Sequence, residues 1–265
     1  MSDILSDECI YNILGHLKRC WDYSYPTGTT LETAIYRGIK AFYPDTRLLG
    51  SPLTMTDVGK ENHAFDIKGK NEIGHLQKLN KKSNQEINNF YTQILPSGEK
   101  IIVKVPKTIK TMARRPKVKL NNYKNDAEKT LKAQIQDYHK FAVTTTTKDG
   151  YSDIYTMICV YGQNHGFKSV FLSVEKFTVP ECTSFVVGKS VERKTKQLKD
   201  SEYQAIDADG NVIFTLKQFS ASSANMYKQF STKQGILMTW NEEDEDSFVF
   251  TKQDLEQHSA LKIVN

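Results

Sequence analysis

The chain has 265 residues, with 36 Lys and Arg against 31 Asp and Glu, and a formal net charge of +5 at pH 7. Its 38% hydrophobic content supports a buried core and disfavours general disorder, and no apolar run reaches the roughly 20 residues of a membrane helix. The acidic N-terminus lacks the apolar core of a signal peptide and the four Cys are far apart, so we expect a cytoplasmic protein without disulfides.

The first part of the chain predicts two helices followed by short strands. Apolar residues recur at helical spacing from Ser2 to Cys20, and a second helix is expected from Thr29 or Thr30 to Tyr43. Three strand-like segments follow, at 47–50, 53–58 and 63–70, with a polar turn at 59–62 before the last of them.

The remainder is richer in strands than in helices. A hairpin is predicted from Phe90 to Val105 around the turn 96–99, and a helix from Asn125 or Asp126 to Lys140. Thr251 and Asp254 resemble a capping box that opens a last helix, and 220–230 is also expected to be helical. Further strands are predicted at 154–161, 169–179, 203–206, 212–216, 236–240 and 248–250. The class is therefore α+β, a mixture of helices and strands.

The charge is unevenly distributed. Between Lys68 and Lys124 there are fourteen Lys or Arg and three acidic residues, a local charge of +11, so the rest of the chain is net acidic. Such asymmetry favours a polyanionic partner.

Within this basic region, seven residues follow one another with no acid between Glu99 and Asp126: Lys104, Lys107, Lys110, Arg114, Arg115, Lys117 and Lys119. A charge run is often only solvated surface. This one is long, of one sign and interrupted by Pro106 and Pro116, which favours a loop or arm that contacts nucleic-acid phosphates.

Two carboxylates and a lysine form the candidate catalytic group. Because alternate residues of a strand share a face, Asp66 and Lys68 should point the same way, and their neighbours Phe65 and Ile67 into apolar packing. Converging carboxylates bind a hard cation such as Mg²⁺, and a nearby lysine supplies a positive charge or, with a lowered pKa, a proton acceptor. These groups suit hydrolysis of a phosphodiester.

The second carboxylate, Asp57, is expected beside the first. If Val58 pairs with His63 across a four-residue turn, Asp57 lies opposite Ala64 and diagonal to Asp66. The alternative is that Asp-Ile-Lys is an ordinary solvated strand face, a common occurrence.

In chain order, Glu32, Asp57 and Asp66-Ile67-Lys68 resemble the signature of the PD-(D/E)xK nucleases, a superfamily that includes many type II restriction endonucleases. The family pattern is a helix with a supporting acid, a strand that ends in Asp, and a strand that carries Asp or Glu, any residue, and Lys. Thr56, not Pro, precedes Asp57 here. The resemblance covers about residues 30–71.

The resemblance implies a restriction-endonuclease-like core with a central mixed β-sheet flanked by helices, plus additional hairpins. It implies a single nuclease domain with its catalytic core at about 30–180 and a β-rich extension at 181–265 for DNA recognition or dimerisation. It also implies that Asp57, Asp66 and Glu32 ligate Mg²⁺ and that Lys68 acts on the attacking water. Glu61, in the adjacent turn, is an alternative to Asp57.

The first functional hypothesis is accordingly a Mg²⁺-dependent type II restriction endonuclease that cleaves double-stranded DNA as a homodimer. The second is a repair, phage or defence nuclease of the same fold without strict specificity. The third is a non-catalytic nucleic-acid-binding protein. No Gly-x-x-x-x-Gly-Lys-Ser/Thr sequence occurs, so we expect no nucleotide cofactor, and no membrane partner.

Overall fold

The fold combines four helices and fifteen strands within the part of the chain that the structure describes. The structure is a computed structural model, and it describes residues 4–23, 28–49, 56–79, 84–114, 123–148, 150–191, 198–220, 223–243 and 250–265. The helices are α1 (Asp7–Tyr23), α2 (Gly28–Lys40), α3 (Tyr123–Lys148) and α4 (Lys252–His258). Among the described residues, no helix is both long and apolar enough to cross a membrane.

The described strands range in length from two to twelve residues. They are β1 (Arg47–Leu48), β2 (Val58–Lys60), β3 (His63–Asn71), β4 (Gly74–Leu76), β5 (Asn88–Ile94), β6 (Lys100–Pro106), β7 (Thr108–Arg114), β8 (Asp153–Asn164), β9 (Phe167–Lys176), β10 (Ser184–Val191), β11 (Leu198–Ile206), β12 (Val212–Ser220), β13 (Ser223–Ser231), β14 (Gly235–Asn241) and β15 (Ala260–Val264).

The chain divides into two compact units, each built from separated segments. The first unit comprises Met1–Thr108, Thr145–Phe177 and Ser231–Asn265, and the second comprises Ile109–Thr144 and Thr178–Phe230. Strands β14 and β15 therefore belong with the first unit, although they lie in the last part of the sequence, where a β-rich extension is expected. The prediction of a single nuclease domain stays a prediction.

The first unit is organised around a seven-stranded mixed sheet with the order β1-β2-β3-β8-β9-β14-β15. Strands β3 and β8 run parallel, and every other neighbouring pair of the sheet is antiparallel. A parallel pair needs a long crossover connection. Here the chain between β3 and β8 includes β4–β7 and α3.

One face of this sheet packs against helices. Alternate residues of the central strands, among them Phe65, Ile67, Met157 and Cys159, join the apolar sides of α1, α2 and α4 in one buried cluster. The alternate apolar residues of the strands thus pack against the apolar faces that the 3.6-residue period creates on the helices. Helices α1 and α2 approach closely at Gly38 of α2, because glycine has no Cβ. A Cβ at this position would lie 2.7 Å from the Cα of Ile13 in α1.

The other face is covered by a three-stranded antiparallel sheet with the order β4-β6-β5. The Gln93 side chain donates to the backbone carbonyls of Leu237 and Ala260, at 3.3 Å each. His75 Nε2 lies 2.8 Å from Ser169 Oγ in the buried layer. These polar contacts fix the position of the small sheet on the large one, because buried hydrogen-bonding groups must find partners.

The second unit contains a five-stranded sheet with the order β10-β11-β12-β13-β7, together with most of α3. Tyr203 of β11 donates through its hydroxyl to Glu128 of α3 at 2.9 Å. Tyr138 of the same helix and Phe214 of β12 pack edge to face, with ring centroids 6.1 Å apart. These contacts attach the helix to the sheet of its own unit.

Several sequence predictions require correction. The expected helix at 220–230 is strand β13, in which Ala224, Met226, Lys228 and Phe230 are buried. This is the period of two that identifies a strand. The described part of the expected loop or arm includes strand β7, from Thr108 to Arg114, and its remainder at 115–119 lies outside the described residues. Strand β15 is an element that the sequence reasoning missed.

Other predictions are confirmed with different bounds, and some fall outside the described residues. Helix α3 is longer than predicted, and the capping box of Thr251 and Asp254 is present in full. The hairpin of β5 and β6 forms as predicted. Residues 53–55 and 248–249 of two predicted strands, and 2–3 of the first predicted helix, lie outside the described part of the chain.

The close approach of α1 and α2 gives a stability prediction. We expect Gly38→Ala to lower the free energy of unfolding by about 1–3 kcal/mol, because the added methyl meets backbone atoms of Ile13, which cannot move aside cheaply. Urea unfolding followed by circular dichroism measures the change. The matched control is Gly28→Ala on the same helix, where the nearest atom to a new Cβ is 3.7 Å away. Equal effects of the two substitutions would contradict the packing argument.

Candidate active site

The hairpin of β2 and β3 positions the candidate site, and its register differs from the sequence prediction. Val58 pairs with Phe65, not with His63, so the turn holds two residues, 61–62, instead of four. Glu61 has a φ of 49°, the left-handed conformation that tight hairpin turns require. Because glutamate is an uncommon residue in that conformation, the sequence contains no signal for the shorter turn.

Asp57 lies where β2 separates from β3. Its backbone N–H donates to the carbonyl of Phe65 at 2.8 Å, and its Oδ2 accepts from the backbone N–H of Ile67 at 2.7 Å. The carboxylate of Asp57 therefore accepts the hydrogen bond that a backbone carbonyl of β2 would accept if the pairing with β3 continued. Asp57 is thus level with residues 65–67 of β3, beside Asp66, and not opposite Ala64 as predicted.

Asp66 is completely buried, and only one of its two carboxylate oxygens is paired. Lys68 Nζ donates to Oδ1 at 2.5 Å, which confirms that the two side chains share a face of β3. The other oxygen, Oδ2, is buried and has no hydrogen-bond partner among the described residues. An ionised carboxylate oxygen without a partner is costly in a protein interior, so it is suited to a bound cation.

The surroundings of Asp57 favour its neutral, protonated form. Burial, together with the negative charge of Asp66, raises the pKa of Asp57 to about 7. This value includes a smaller raising effect of Glu32 and the opposite, lowering effects of the Ile67 N–H and the Lys68 ammonium. The raised pKa therefore reflects burial first and the neighbouring carboxylates second, and Lys68 offsets it only in part.

The structure bears on the two roles open to Lys68. Burial by itself disfavours the charged ammonium, but the carboxylates of Asp66, Asp57 and Glu32 outweigh it, so the pKa of Lys68 is raised. A raised pKa keeps the side chain protonated at neutral pH. Of the two alternatives, the arrangement favours a fixed positive charge over a proton acceptor.

Helix α2 brings Glu32 near the site through a close contact with β3. A Cβ added to Gly69 would lie 2.4 Å from Leu31 Cδ1, so the glycine that follows Lys68 allows the helix to approach the strand. Glu32 then acts electrostatically on Asp57 and on Lys68. By contrast, Glu61 lies in the turn, with its side chain 58% exposed and 3.4 Å from Lys60 Nζ.

Sequence reasoning missed Thr156. It pairs with Asp66 across the parallel strands β3 and β8, and its buried hydroxyl has no hydrogen-bond partner among the described residues. Residues paired in register project from the same face of a sheet, so the hydroxyl lies on the Asp66 side of β8. The two residues are 90 positions apart, and no local pattern indicates their proximity.

The donor set fits Mg²⁺ in part. Among the described residues, no group of three or more His, Cys, Asp or Glu is arranged to hold a metal ion, so Glu32 is not grouped with the two aspartates as a third ligand. Mg²⁺ commonly uses one or two protein carboxylates and retains several waters. The unpaired Oδ2 of Asp66 and the neighbouring carboxylate of Asp57 meet that smaller requirement.

The residues predicted to contact DNA are not gathered in one element. Lys104 lies on β6 of the small sheet. Lys107 lies between β6 and β7, where its backbone N–H donates to the Ile87 carbonyl and its own carbonyl accepts from the Thr232 N–H. Lys110 lies on β7 and forms an ion pair with Glu202 at 3.1 Å. Arg114 ends β7, its side chain is not among those described, and Arg115, Lys117 and Lys119 lie outside the described residues.

Comparison with known proteins does not assign the chain. No protein-family model, no curated protein and no solved structure matches it. Its function is therefore inferred from its own residues and their geometry.

The raised pKa of Asp57 predicts a pH-dependent effect of Asp57→Asn in metal-free buffer. The carboxyl titrates at about pH 7 in the folded protein and near its ordinary value, about 4, in the unfolded chain. Ionisation therefore costs the folded state stability as the pH rises from about 4 to 7. The amide avoids this cost and keeps an oxygen for the Ile67 N–H. We expect the melting-temperature difference, variant minus wild type, to increase from pH 4.5 to 7.5 and then level off.

The matched control is Asp153→Asn, in the same unit. There the hydrogen bond from Lys176 holds the pKa of the carboxyl below its ordinary value. This substitution should remove stability at neutral pH, the opposite sign. A melting-temperature difference for Asp57→Asn that does not change with pH would show that Asp57 is not in the crowded acidic environment described.

Proposed function

We propose that the protein is a Mg²⁺-dependent endodeoxyribonuclease of the PD-(D/E)xK type, most simply a type II restriction endonuclease that acts on double-stranded DNA as a homodimer. The observation that carries the proposal is the arrangement of Asp57, Asp66 and Lys68. The charge of Asp66 raises the pKa of Asp57, one oxygen of Asp66 is buried with no partner among the residues described, and a protonated lysine lies beside them.

Each residue has a distinct role in the proposed reaction. Asp66 and Asp57 would hold the metal ion, and Glu32 would contribute negative charge from α2. Lys68 provides a fixed ammonium that attracts and orients the scissile phosphate and the water beside it. When bound, Mg²⁺ supplies Lewis-acid polarisation of a phosphate oxygen and lowers the pKa of a coordinated water.

The location of the site supports this function. Asp57 lies at the point where β2 and β3 separate and is only half-buried, whereas Asp66 is fully enclosed in the sheet. A catalytic group on a central strand is positioned more accurately than one on a loop. The combination of a rigid carboxylate and a more accessible one suits a site that must admit a phosphodiester.

Binding to DNA is proposed to involve the basic residues between Lys104 and Lys119. Each unpaired lysine that approaches a phosphate releases condensed counterions. Lys110 is already paired with Glu202, so its contribution is expected to be smaller than that of Lys104.

Cleavage of supercoiled plasmid in Mg²⁺ tests the proposed activity. Asp66→Asn and Lys68→Met should each reduce the cleavage rate by about 100-fold or more, because they remove a metal ligand and the fixed charge at the phosphate. Chelation by EDTA should abolish cleavage by the wild type. Discrete fragments would support a sequence-specific enzyme, and a smear would support the less specific nuclease.

The control for this experiment is Lys70→Met. Lys70 lies two residues beyond Lys68 on the same face of β3, but its side chain is 41% exposed and is paired with Glu72 at 3.6 Å. It should retain wild-type cleavage. If wild type fails to cut any of several plasmids, or if Asp66→Asn cuts as fast as wild type, the proposal is wrong. Binding to DNA without cleavage would favour the non-catalytic alternative.

The salt dependence of DNA binding tests the basic residues. Lys104→Gln should reduce the slope of log affinity against log salt by about 1, as expected for the loss of one phosphate contact. Lys110→Gln should change the slope less, because Glu202 already neutralises that ammonium. Fluorescence anisotropy with a labelled duplex at four salt concentrations, in EDTA to prevent cleavage, measures both. Unchanged slopes would remove both residues from the interface.

A further inference from the structure

One face of β8 carries a hydroxyl within a row of aliphatic side chains. Alternate residues of a strand share a face, so this row consists of Ile154, Thr156, Ile158 and Val160, and all four are buried. The Thr156 hydroxyl has no hydrogen-bond partner among the described residues. Valine has nearly the same shape and no polar group to remove from water, so folding stability would favour valine at this position. Folding stability therefore does not explain the hydroxyl.

The hydroxyl lies beside a second buried oxygen without a partner. Thr156 pairs with Asp66 in the parallel ladder of β3 and β8, so the two side chains project from one face of the sheet on adjacent strands. Asp66 Oδ2 has no hydrogen-bond partner in the part of the chain that the structure describes, and Lys68 donates to the other oxygen, Oδ1. Thr156 and Asp66 therefore do not hydrogen-bond to each other. A cation accepts a lone pair from each oxygen, so it would satisfy both at once.

The neighbour of Thr156 on its other side is also acidic. Glu175 of β9 pairs with Thr156 in the antiparallel ladder of β8 and β9, and it lines a cavity of about 560 Å³. The Thr156 hydroxyl does not donate to this carboxylate either. It thus lies in register between two acids and is bonded to neither, although buried hydroxyls normally find a partner. A position between carboxylates suits an oxygen that binds a cation.

We propose that Thr156 Oγ1 is a third protein ligand of the Mg²⁺ ion, together with Asp66 Oδ2 and the carboxylate of Asp57. Among the described residues, no three His, Cys, Asp or Glu are arranged to hold a metal ion, and a hydroxyl is outside that set of ligands. Mg²⁺ binds oxygen ligands, and a Ser or Thr hydroxyl serves it in phosphate-binding loops. The assignment rests on the proposed function, because it requires a cation at Asp66, and it makes Thr156 the third ligand in place of Glu32.

A buried water molecule is the alternative occupant of this position. Water can accept a hydrogen bond from the Thr156 hydroxyl and donate one to Asp66 Oδ2. The two occupants differ in what the loss of the hydroxyl changes. If the hydroxyl only holds a water, its removal changes the stability of the protein to the same extent with and without Mg²⁺. If the hydroxyl is a ligand, its removal lowers the affinity for Mg²⁺.

Isothermal titration of the full chain with MgCl₂, without DNA and at constant ionic strength, measures that affinity. Thr156→Val should weaken Mg²⁺ binding by about tenfold or more, as is typical when a group that supports a metal site is removed. Thr156→Ser keeps the hydroxyl and should bind Mg²⁺ nearly as tightly as wild type. Asp66→Asn should abolish binding in the same titration.

The matched control is Thr215→Val. Thr215 of β12 is buried, and its hydroxyl also has no hydrogen-bond partner within the described residues. Its partners on the neighbouring strands are Gln204 and Tyr227, neither of which is acidic. This substitution removes a buried hydroxyl of the same kind without an adjacent carboxylate, so the affinity for Mg²⁺ should equal that of wild type.

Thr156→Cys tests direct contact with the metal ion and provides a second variant if Thr156→Val does not fold. A thiolate prefers soft metal ions to Mg²⁺, so the ratio of Cd²⁺ affinity to Mg²⁺ affinity should rise by about tenfold or more relative to wild type. Wild type is the reference because its own four cysteines, which are free thiols, are present in both proteins. An unchanged ratio would show that residue 156 does not contact the ion.

The remaining outcomes separate this assignment from the proposed function. An unchanged Mg²⁺ affinity in Thr156→Val would overturn the assignment and leave the proposed nuclease intact. An equal shift of the melting temperature in Mg²⁺ and in EDTA, without a change in affinity, would assign the hydroxyl to a buried water instead. If Asp66→Asn binds Mg²⁺ as tightly as wild type, or wild type shows no saturable binding up to about 10 mM, the metal site and the proposed function are both wrong.

Discussion

The parallel pairing of β3 with β8 is the contact on which both the large sheet and the candidate site depend. Nine residue pairs, from His63 with Asp153 to Asn71 with Tyr161, join segments that are 90 positions apart in the sequence. Strand β8 then continues the sheet through β9 to β14 and β15. Without this ladder β3 would be an edge strand. With it, both faces of β3 are covered, and Asp66 is enclosed.

Because Asp66 is buried, the charges around it interact much more strongly than they would in water. On a solvated strand, Asp66 and Lys68 would form an ordinary surface ion pair of little energetic weight. In the buried sheet, three carboxylates act on one ammonium, and one carboxylate oxygen has no partner within the described part of the chain. Folding stability alone gives no reason to retain such an excess of negative charge. A strained acidic group of this kind is typical of a site that is completed by a cation.

The fold was predictable wherever local pattern decides structure. Helical periodicity identified α1 and α2, and the turn at 96–99 identified the hairpin of β5 and β6. The capping box at Thr251 depends only on residues within one turn, so it was also predictable. Prediction failed where local pattern is ambiguous: β13 combines polar residues with a period of two, and its strand pairing with β12 overrides its weak local preference. The sequence also contains no local pattern that predicts two compact units, each built from separated segments of the chain.

For the site, the sequence by itself determined which residue types are available and that Asp66 and Lys68 share one face, because strand alternation is a local property. Only the tertiary structure decided the rest. The two-residue turn moved Asp57 beside Asp66 and left Glu61 at the far end of the hairpin. The pairing of β3 with β8 buried the unpaired oxygen and brought Thr156 level with Asp66. Register and burial depend on contacts between distant segments, which no window of sequence contains.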